Sequence, residues 1–328
     1  MHHSHPLDAL SPSLSRRGRG TGGGAVGIQL EELPSISILI PTHNYRCEEL
    51  VRTLQMQAEN VDGLRYEIIV VDDASTDDAI RHANREVREW DCCRLIELNE
   101  NLGRSRVRNF LARQAQFPTL LFLDSDVRIV RPNFLRSYLA WGGAEAVVCG
   151  GVTIVTDERL RHNLRYRYER ACLQKFSVER RAMAPYQSFR TTNFCVERDV
   201  MLRVPFDEGI LGYGYEDVAW GRALRASGIG IAHIDNPVAV DDFEDNPTFL
   251  RKTCEAMHTL HAMRHDMADY SQIVAFAARL ERLHMQGLAR TAYSLIQPLI
   301  KRNLEGTTPR VSLFQLFRLG TFLNLPKK

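Results

Sequence analysis

The amino-acid sequence predicts an α/β fold, with a mostly parallel sheet flanked by helices and a helical C-terminal extension. Three observations lead to this prediction. Short apolar runs of strand length alternate with amphipathic helical patterns between residues 35 and 126. Three of these runs end in polar or acidic residues, and the pattern after residue 246 is helical only. Strand–helix alternation of this kind produces parallel strands that are joined by right-handed crossovers.

The first apolar run, residues 35–41, ends in proline and is typical of a strand buried on both faces. A helical pattern follows it. The sequence predicts further strands and helices at 66–73 (strand), 77–90 (helix), 93–100 (strand), 104–115 (helix) and 118–126 (strand). After residue 140 it predicts single strands at 146–155 and 230–240, a helix and a charged loop over 159–183, a strand and short helix within 190–208, and helices at 216–228, 247–268 and 271–288.

A chain of 328 residues accommodates one large domain with an appendage, or two small domains. Gly, Ser and Arg dominate residues 1–33, so we expect a disordered tail there. The main α/β domain is predicted over 34–245, and the helical extension over 246–328.

The composition excludes several classes of protein. The formal net charge of +2 argues against a nucleic-acid-binding protein, which needs a strongly basic surface. No apolar run approaches the ~18 residues of a membrane-spanning helix. The seven cysteines contain no C-x-x-C pair, so they indicate free thiols in a reducing compartment rather than a zinc site. The N-terminus lacks a signal-peptide pattern, and we therefore expect a cytoplasmic location.

Residues 290–328 differ from the rest of the chain, since they carry seven basic side chains and one acidic one. Apolar and basic residues interleave there. This pattern allows a peripheral contact with anionic lipid at the inner face of the cytoplasmic membrane. The alternative is a pair of amphipathic helices that packs on the rest of the chain or on a second copy in a homodimer.

Acidic side chains follow two of the predicted parallel strands. Asp124, Ser125 and Asp126 end the run LLFLDSD, and a pair of aspartates ends VVDD. The carboxyl ends of such strands meet at one edge of the sheet, where ligands bind. Paired carboxylates there suit Mg²⁺ or Mn²⁺, which leave positions open for phosphate. The alternative is that these residues cap helices or form turns.

The second acidic strand end is VVDDASTDD. Asp77 precedes the apolar-periodic stretch and is the better candidate for a helix N-cap. That leaves Asp72 or Asp73 to accept a hydrogen bond from a ligand N–H group, such as a pyrimidine imide. Ordinary solvation of a loop is the alternative.

Two further segments carry charged residues at predicted helix starts. Glu216 and Asp217 follow the loop GYGY, where the helix dipole keeps carboxylates ionised. An ionised carboxylate beside a sugar site is a suitable general base for a hydroxyl group. Arg104 and Arg108 share one face of the predicted helix 104–115, whose N-terminus is itself an anion site. The alternatives are that the two acids only complement the dipole at the helix N-terminus, and that the two arginines form a solvated basic face.

Taken in order, the segments ISILIPTHN, VVDDASTD, NENLGRSRVRNF, LLFLDSD and FDEGILGYGYEDVAWGRAL resemble those of a bacterial family 2 glycosyltransferase of the GT-A fold. The resemblance covers about residues 35–245. It implies a Rossmann-like nucleotide-diphospho-sugar transferase fold. It also implies inverting transfer of a hexosyl or N-acetylhexosaminyl group from a UDP-sugar to a hydroxyl of a glycan or lipid-linked acceptor. Mn²⁺ or Mg²⁺ is the implied cofactor.

The resemblance also assigns roles to residues of this chain. It implies a donor-binding set that consists of Pro41, Thr42, Asn44, Asp73, Arg104, Asp124, Ser125, Asp126, Thr192 and Asn193. Within that set Asp73 would read the base, Asp124 would face the ribose and Asp126 would ligate the metal. Asp217 would deprotonate the acceptor hydroxyl, with Glu216 beside it in the acceptor site.

Two positions depart from the family's pattern. Val240 stands where relatives often carry a metal-binding histidine, and we expect Asp241 or Asp242 to supply an oxygen ligand instead. Tyr215 stands where many relatives have glycine. Its ring would stack on a sugar face of the acceptor or narrow the site.

Two other functions stay open from the residues alone. The changed histidine position allows a catalytically degenerate domain that only binds a nucleotide-sugar, although Asp73, Asp126 and Asp217 together argue against it. A sugar-phosphate nucleotidylyltransferase shares the general architecture. However, the segment PTHNYRCEEL lacks the glycine-rich, basic phosphate loop that such an enzyme needs after its first strand.

Overall fold

The computed structural model describes residues 34–141, 145–173 and 177–326. Leu33–Lys328 form one compact unit. The tail predicted over residues 1–33 lies outside the described residues. None of the helices in the described ranges is long and apolar enough to cross a membrane.

The strands of the described ranges are β1 (Ser35–Thr42), β2 (Arg65–Asp72), β3 (Cys93–Glu97), β4 (Thr119–Leu123), β5 (Val127–Ile129), β6 (Val147–Cys149), β7 (Val152–Thr153), β8 (Asn193–Glu197), β9 (Ile231–His233) and β10 (Val238–Val240). The helices are α1 (Glu48–Glu59), α2 (Asp78–Asn84), α3 (Arg104–Gln114), α4 (Phe134–Leu139), α5 (Leu164–Cys172), α6 (Val178–Met183), α7 (Arg198–Arg203), α8 (Glu216–Ala226), α9 (Asn246–Ala262), α10 (Gln272–Arg282), α11 (Gln286–Glu305) and α12 (Val311–Asn324). Short 3-10 helices occupy Arg85–Glu89, Glu158–Leu160 and Arg264–Asp266.

The main sheet has the strand order β3-β2-β1-β4-β8-β6-β9. The first four of these strands are parallel, as the strand–helix alternation predicts, and β8 runs antiparallel to both of its neighbours. Ile38 at the centre pairs with Ile68 and with Leu121. All three are fully buried, because α1 and α4 cover one face of the sheet and α3, α7 and α8 cover the other.

The predicted cap of α2 is confirmed. The Asp77 side chain accepts hydrogen bonds from the backbone N–H groups of Ala79 and Ile80, at 2.9 and 3.2 Å. The residue that follows β2 is therefore separate from the residue that starts α2, and the loop between them is available to form a site.

The prediction of single strands at 146–155 and 230–240 is wrong, because each segment forms two strands that belong to different sheets. The first segment breaks at Gly150 and Gly151. Gly151 has the left-handed φ of +88°, and a Cβ on Gly150 would lie 2.3 Å from the Tyr138 hydroxyl. The Gly-Gly pair is a local turn signal, but the sequence does not show that the chain passes to a second sheet there.

The second sheet has the order β5-β10-β7, and β5 is a strand that the sequence did not predict. Val127 of β5 pairs with Val240 of β10 in an antiparallel register. This pairing brings the residue that precedes β5, Asp126, close to the residues that follow β10. The small sheet therefore joins two acidic segments that are more than a hundred residues apart in sequence.

The helices after residue 246 pack against the preceding region. Phe249 and Leu250 of α9 share a buried cluster with Leu164 of α5 and Phe314 of α12. A second cluster joins α8, α9, α10 and α12. The helices α9 and α10 end at Ala262 and Arg282, earlier than predicted, and α6 forms within the segment expected to be a charged loop.

Candidate active site

A cleft of about 710 Å³ opens at the carboxyl ends of β1, β2 and β4. Its walls also include the N-terminus of α3, the loop before α8, and α9. The structure brings nine of the sequence-predicted site residues into its lining, namely Pro41, Thr42, Asn44, Asp73, Arg104, Asp124, Ser125, Asp126 and Asp242. The cleft therefore lies at the edge of the sheet where the strand topology predicts ligand binding.

The loop after β1 is held in a fixed shape by internal hydrogen bonds. Thr42 donates its hydroxyl to the Tyr45 carbonyl at 2.9 Å. Asn44 has a left-handed φ of 53°, and its side-chain oxygen accepts the backbone N–H groups of Thr76 and Asp77 at 2.8 and 3.1 Å. Asn44 therefore connects the loops after β1 and β2, so that both present a preformed surface to the cleft.

Asp73 connects β2 to the start of α3. Its two carboxylate oxygens accept the backbone N–H groups of Leu102 and Gly103, at 2.6 and 3.0 Å. Burial raises the pKa of Asp73, and these two hydrogen bonds oppose the shift. Asp72 accepts the backbone N–H of Ser75 at 2.7 Å. Neither acid is thus without a partner, although each Asp73 oxygen retains a lone pair for a second donor.

The two aspartates of the D-S-D segment have different surroundings. Asp124 accepts a hydrogen bond of 2.6 Å from the buried guanidinium of Arg108. Among the described residues, no donor forms a hydrogen bond with the Asp126 carboxylate. Burial raises the pKa of Asp126 to about 6; Asp124 and Asp242 add to the shift, while Arg165 opposes it. Asp126 is therefore the acid that a cation in the cleft would stabilise most.

The structure separates the two candidates for the replacement metal ligand. Asp242 lines the cleft, while Asp241 lies 2.6 Å from the Arg128 guanidinium and does not line it. Tyr45 also lines the cleft. Burial, and then the negative charges of the nearby Asp242 and Asp126, raise its pKa to about 12. In the part of the chain that the structure describes, no group of three His, Cys, Asp or Glu could hold a metal ion by itself.

Part of the lining of the cleft is cationic. The Arg104 guanidinium lies 4.1 Å from the centre of the Tyr213 ring and 3.6 Å from the Glu216 carboxylate. Burial disfavours the charge on Arg104, but Glu216 and Tyr213 outweigh this effect and raise its pKa. From α9, Lys252 lies 5.8 Å from the same ring, and Arg251 also lines the cleft. The helical region after residue 246 therefore contributes to the site.

Tyr215, which the resemblance assigns to the acceptor site, does not line the cleft. Tyr215 has a left-handed φ of 68° at the start of α8, and the Arg318 guanidinium on α12 donates to its hydroxyl at 3.4 Å. Its ring packs with the apolar cluster of α9, α10 and α12. Tyr213, two residues earlier, is the tyrosine of this loop that lines the cleft. A glycine-rich loop does not reveal from sequence which of its aromatic residues faces the cleft.

Glu216 and Asp217 begin α8, and neither of them lines the cleft. The Glu216 side chain is only 6% exposed and lies 3.6 Å from Arg104 and 4.0 Å from Arg108, both of which line the cleft. Asp217 accepts the backbone N–H of Val218 at 2.7 Å. Burial and the neighbouring charge of Glu216 raise the pKa of Asp217 to about 6. Such a carboxyl group can gain and lose a proton close to neutral pH.

The structure does not bring Thr192 and Asn193 into the cleft lining. Asn193 is buried, and its amide donates to the carbonyls of Gly151 and Asn236 at 2.9 and 2.8 Å. Its oxygen accepts the Tyr138 hydroxyl at 2.6 Å. The Thr192 carbonyl accepts the backbone N–H of Asp124 at 3.1 Å. These two residues thus support the junction of the sheets and the strand end that carries the D-S-D segment.

Several residues of the cleft were not among the predicted site residues. They are His43, Tyr45, Asn101, Gly103, Val107, Arg108, Leu211, Gly212, Tyr213, Arg251, Lys252 and Glu255. Arg108 shares a helix face with Arg104, and that spacing was a usable signal. Arg251 and Lys252 belong to the segment NPTFLRKT, whose place in the cleft depends on tertiary packing that no local pattern reveals.

The fold agrees with comparisons to known proteins. The model of glycosyl transferase family 2 matches residues 37–208, more than half of the chain. The chain therefore belongs to this family. A mannosyltransferase from Pyrobaculum calidifontis, PcManGT, was solved in complex with GDP-Man and Mn²⁺. It is 18% identical, with a TM-score of 0.54 over 88% of this chain and 87% of that one, and this likeness shows the shared GT-A fold.

Two relatives are named glycosyltransferases. Validoxylamine A glucosyltransferase from Streptomyces hygroscopicus subsp. jinggangensis is 31% identical over 229 residues, which is 60% of this chain and 53% of that protein. Glycosyltransferase AglE from Haloferax volcanii is 25% identical over 202 residues, which is 61% of this chain and 64% of that protein. The chain spans about half the length of the first curated relatives that it matches.

Proposed function

We propose that the chain is an inverting, metal-dependent glycosyltransferase that moves a hexosyl or N-acetylhexosaminyl group from a UDP-sugar to a hydroxyl group of a glycan or lipid-linked acceptor. One observation carries the proposal. The unpaired Asp126 carboxylate and Asp242 share a single cleft with Arg104 and Lys252. Acidic and basic side chains that line one open cleft suit a ligand that carries both phosphates and a bound cation.

The donor would lie along the carboxyl ends of the parallel strands. The preformed loop after β1, with Thr42 and Asn44, supports a nucleoside there, and the free lone pairs of Asp73 suit an N–H group of the base. Arg104 and Lys252 supply positive charge for the diphosphate. Arg104 is also held in place between Tyr213 and Glu216, so little side-chain entropy is lost when it binds an anion.

The residues present fit a divalent cation. Asp126 is half-buried, acidic and without a hydrogen-bond donor among the described residues, and Asp242 is close enough to raise its pKa. Mg²⁺ and Mn²⁺ are commonly held by one or two carboxylates together with substrate phosphates. Asp126 and Asp242 would hold the ion, which when bound supplies charge stabilisation for the departing diphosphate.

Asp217 is the proposed general base. Its carboxylate would accept the proton of the acceptor hydroxyl as the oxygen attacks the anomeric carbon, and the diphosphate would leave from the opposite face. A single displacement of this kind inverts the anomeric centre. The raised pKa of about 6 supports the assignment, because a base works best when its pKa lies near the operating pH. The buried Glu216 lies beside it, 3.6 Å from Arg104 and 4.0 Å from Arg108.

The donor can be tested by thermal shift with Mn²⁺ across UDP-, GDP-, CDP- and dTDP-sugars, because ligand binding to the native state raises its apparent stability. UDP-glucose is the first donor to test, since a relative is named a glucosyltransferase. We expect the largest shift with a UDP-sugar and release of UDP on turnover. A larger shift with another nucleotide would overturn the UDP assignment, and binding without any turnover would favour a degenerate binding domain.

The cellular location and the oligomeric state of the protein are also proposals. A cytoplasmic location and a homodimer stay predictions, tested by fractionation of cells and by light scattering of the purified chain. No nucleic-acid partner is expected from the balanced charge.

A further inference from the structure

Exposed apolar side chains are concentrated on one part of the molecule. Of fourteen large hydrophobic residues that are exposed in the described ranges, seven lie between residues 276 and 299. We call these seven residues the outer apolar face: Phe276, Leu283, Met285, Leu288, Leu295, Ile296 and Leu299. Exposed apolar residues are ordinary when scattered, but a contiguous set of them marks an interaction site.

The helix α11 is apolar on two separate sides. Tyr293, Ile300 and Leu304 are buried in the cluster that α11 shares with α5, α9 and α12. Leu295 and Leu299, which are 76% and 68% exposed, lie on another side of the helix, roughly 120–160° away at 3.6 residues per turn. The inner side accounts for the packing of α11 on the molecule. The outer side has no such explanation among the described residues.

The chain around the outer apolar face is basic. Arg279 and Arg282 lie on α10, and Lys301 and Arg302 lie near the end of α11, whereas the acids of these two helices are Glu281 and Glu305. Glu305 is partly offset by Lys301, 3.6 Å away. These basic groups alternate with the exposed apolar ones along both helices.

A second indication of positive potential comes from His261 on α9. His261 lines a small cavity of about 140 Å³ between α9, α10 and α11, together with Arg264, His265 and Arg290. Burial lowers the pKa of His261, and the positive charges of Arg264, Arg290 and neighbouring histidines lower it further. Besides the two histidines, the charged side chains that line this cavity are Arg264, Arg290 and one acid, Glu281, so that the cations outnumber the acids there.

We propose that the outer apolar face docks on the surface of an anionic lipid membrane. Apolar side chains of an amphipathic helix insert at the level of the headgroups, and basic side chains beside them bind anionic lipid. A second copy of the chain is the weaker alternative, because a twofold contact through α11 would bring the same arginines together. The proposed contact involves residues 276–299 and leaves out α12, which is internal, with Phe314, Phe317 and Phe322 buried.

The test is cosedimentation of the full chain with vesicles of phosphatidylcholine alone, or of phosphatidylcholine with about one third phosphatidylglycerol. We expect binding to the anionic vesicles only, and a fall of about tenfold in the Leu295→Gln/Leu299→Gln variant. Met183→Gln is the matched control, because Met183 is also 76% exposed but lies on α6, outside the outer apolar face. It should bind as the wild type does. The variant Arg279→Gln/Arg282→Gln/Arg302→Gln should also lose binding to the anionic vesicles.

Three results would overturn the proposal. The first is that the wild type does not bind anionic vesicles. The second is that the leucine variant binds them as well as Met183→Gln does. The third is that light scattering shows a dimer that only the leucine variant loses, while no protein binds vesicles. Release of UDP from the donor should be the same in both variants in the absence of vesicles. A failure of membrane docking is therefore distinguishable from a failure of the proposed sugar transfer.

Discussion

The Arg108 guanidinium lies 2.6 Å from the Asp124 carboxylate and 4.0 Å from the Glu216 carboxylate. Arg108 is on α3, Asp124 follows β4 and Glu216 begins α8, so one buried cation connects three elements of the cleft. The side chains of Arg108 and Glu216 are only 5% and 6% exposed. The charge of Arg108 is therefore what allows the two carboxylates to lie so close together.

We expect Arg108→Met to lower the free energy of unfolding by about 2 kcal/mol, because it leaves Glu216 buried without this countercharge and removes a charged hydrogen bond from Asp124. Urea denaturation measures the loss. Arg106→Met on the same helix is the matched control. Its side chain is 48% exposed and lies 3.8 Å from Glu208, so its loss should cost less than about 0.5 kcal/mol. Equal stabilities of the two variants would contradict the role given to Arg108.

Asp217 should make the protein less stable as pH rises through about 6. Its pKa is raised in the folded state because burial penalises the charged form, so its contribution to stability is greatest at low pH and is lost above that pKa. We expect Asp217→Asn to raise the free energy of unfolding by about 1–2 kcal/mol near pH 8 and to change it little near pH 4. Denaturation curves at both pH values provide the measurement.

The exposed Asp269 supplies a control for that experiment, because Asp269→Asn removes a charge without removing a buried one. It should leave stability within about 0.5 kcal/mol of the wild type at either pH. A loss of stability in Asp217→Asn near pH 8 would show that the ionised carboxylate is favourably held, contrary to the burial that raises its pKa.

Asp242 and Asp241 should differ in their effect on metal binding. Asp242 lines the cleft beside Asp126, whereas Asp241 pairs with Arg128. We expect Asp242→Asn to weaken the affinity for Mn²⁺ by about tenfold or more, because one of two carboxylate ligands loses its charge. The measurement is a titration of Mn²⁺ by thermal shift in the presence of UDP. Asp241→Asn is the matched control; if it, and not Asp242→Asn, weakens binding, the placement of the metal is wrong.

Tyr213 and Tyr215 should also differ, although they are two residues apart. Tyr213→Ala removes the ring under Arg104 and near Lys252, and we expect the KM for the donor to rise about fivefold. Tyr215→Phe removes only a hydroxyl that contacts Arg318 on α12, and it should leave the KM within about twofold. Steady-state kinetics with the donor varied provide the comparison. A larger rise in KM for Tyr215→Phe than for Tyr213→Ala would instead support a role for Tyr215 in the site.

The central sheet could be predicted from sequence because its strands are short, fully buried and separated by helical patterns. Ile38 and Ile68 belong to short runs in which nearly every residue is apolar, and runs of this length are typical of buried strands rather than of helices. The acidic ends of β2 and β4 could be placed together for the same reason, since parallel strands direct their carboxyl ends to one edge.

Other features depend on packing that the sequence does not show. Turn-forming residues stand at both breaks, a Gly-Gly pair before β7 and Asp-Asn-Pro before β10, but they do not show that the chain passes to a second sheet there. The close approach of Tyr138 to Gly150 accounts for the glycine at the first break. The pairing of Val127 with Val240 determines which acids lie near Asp126. Lys252 enters the cleft because α9 packs on α5 and α12, which is a long-range contact without a local signal.

The most direct test of the account is UDP release from a UDP-sugar with Mn²⁺ as a function of pH, for the wild type and Asp217→Asn. We expect the wild-type rate to rise as pH increases through about 6, because the Asp217 carboxylate must be deprotonated to accept the proton of the hydroxyl group. Asp217→Asn should lose about a hundredfold or more in rate and retain its thermal shift with UDP. Undiminished UDP release by Asp217→Asn would contradict the account.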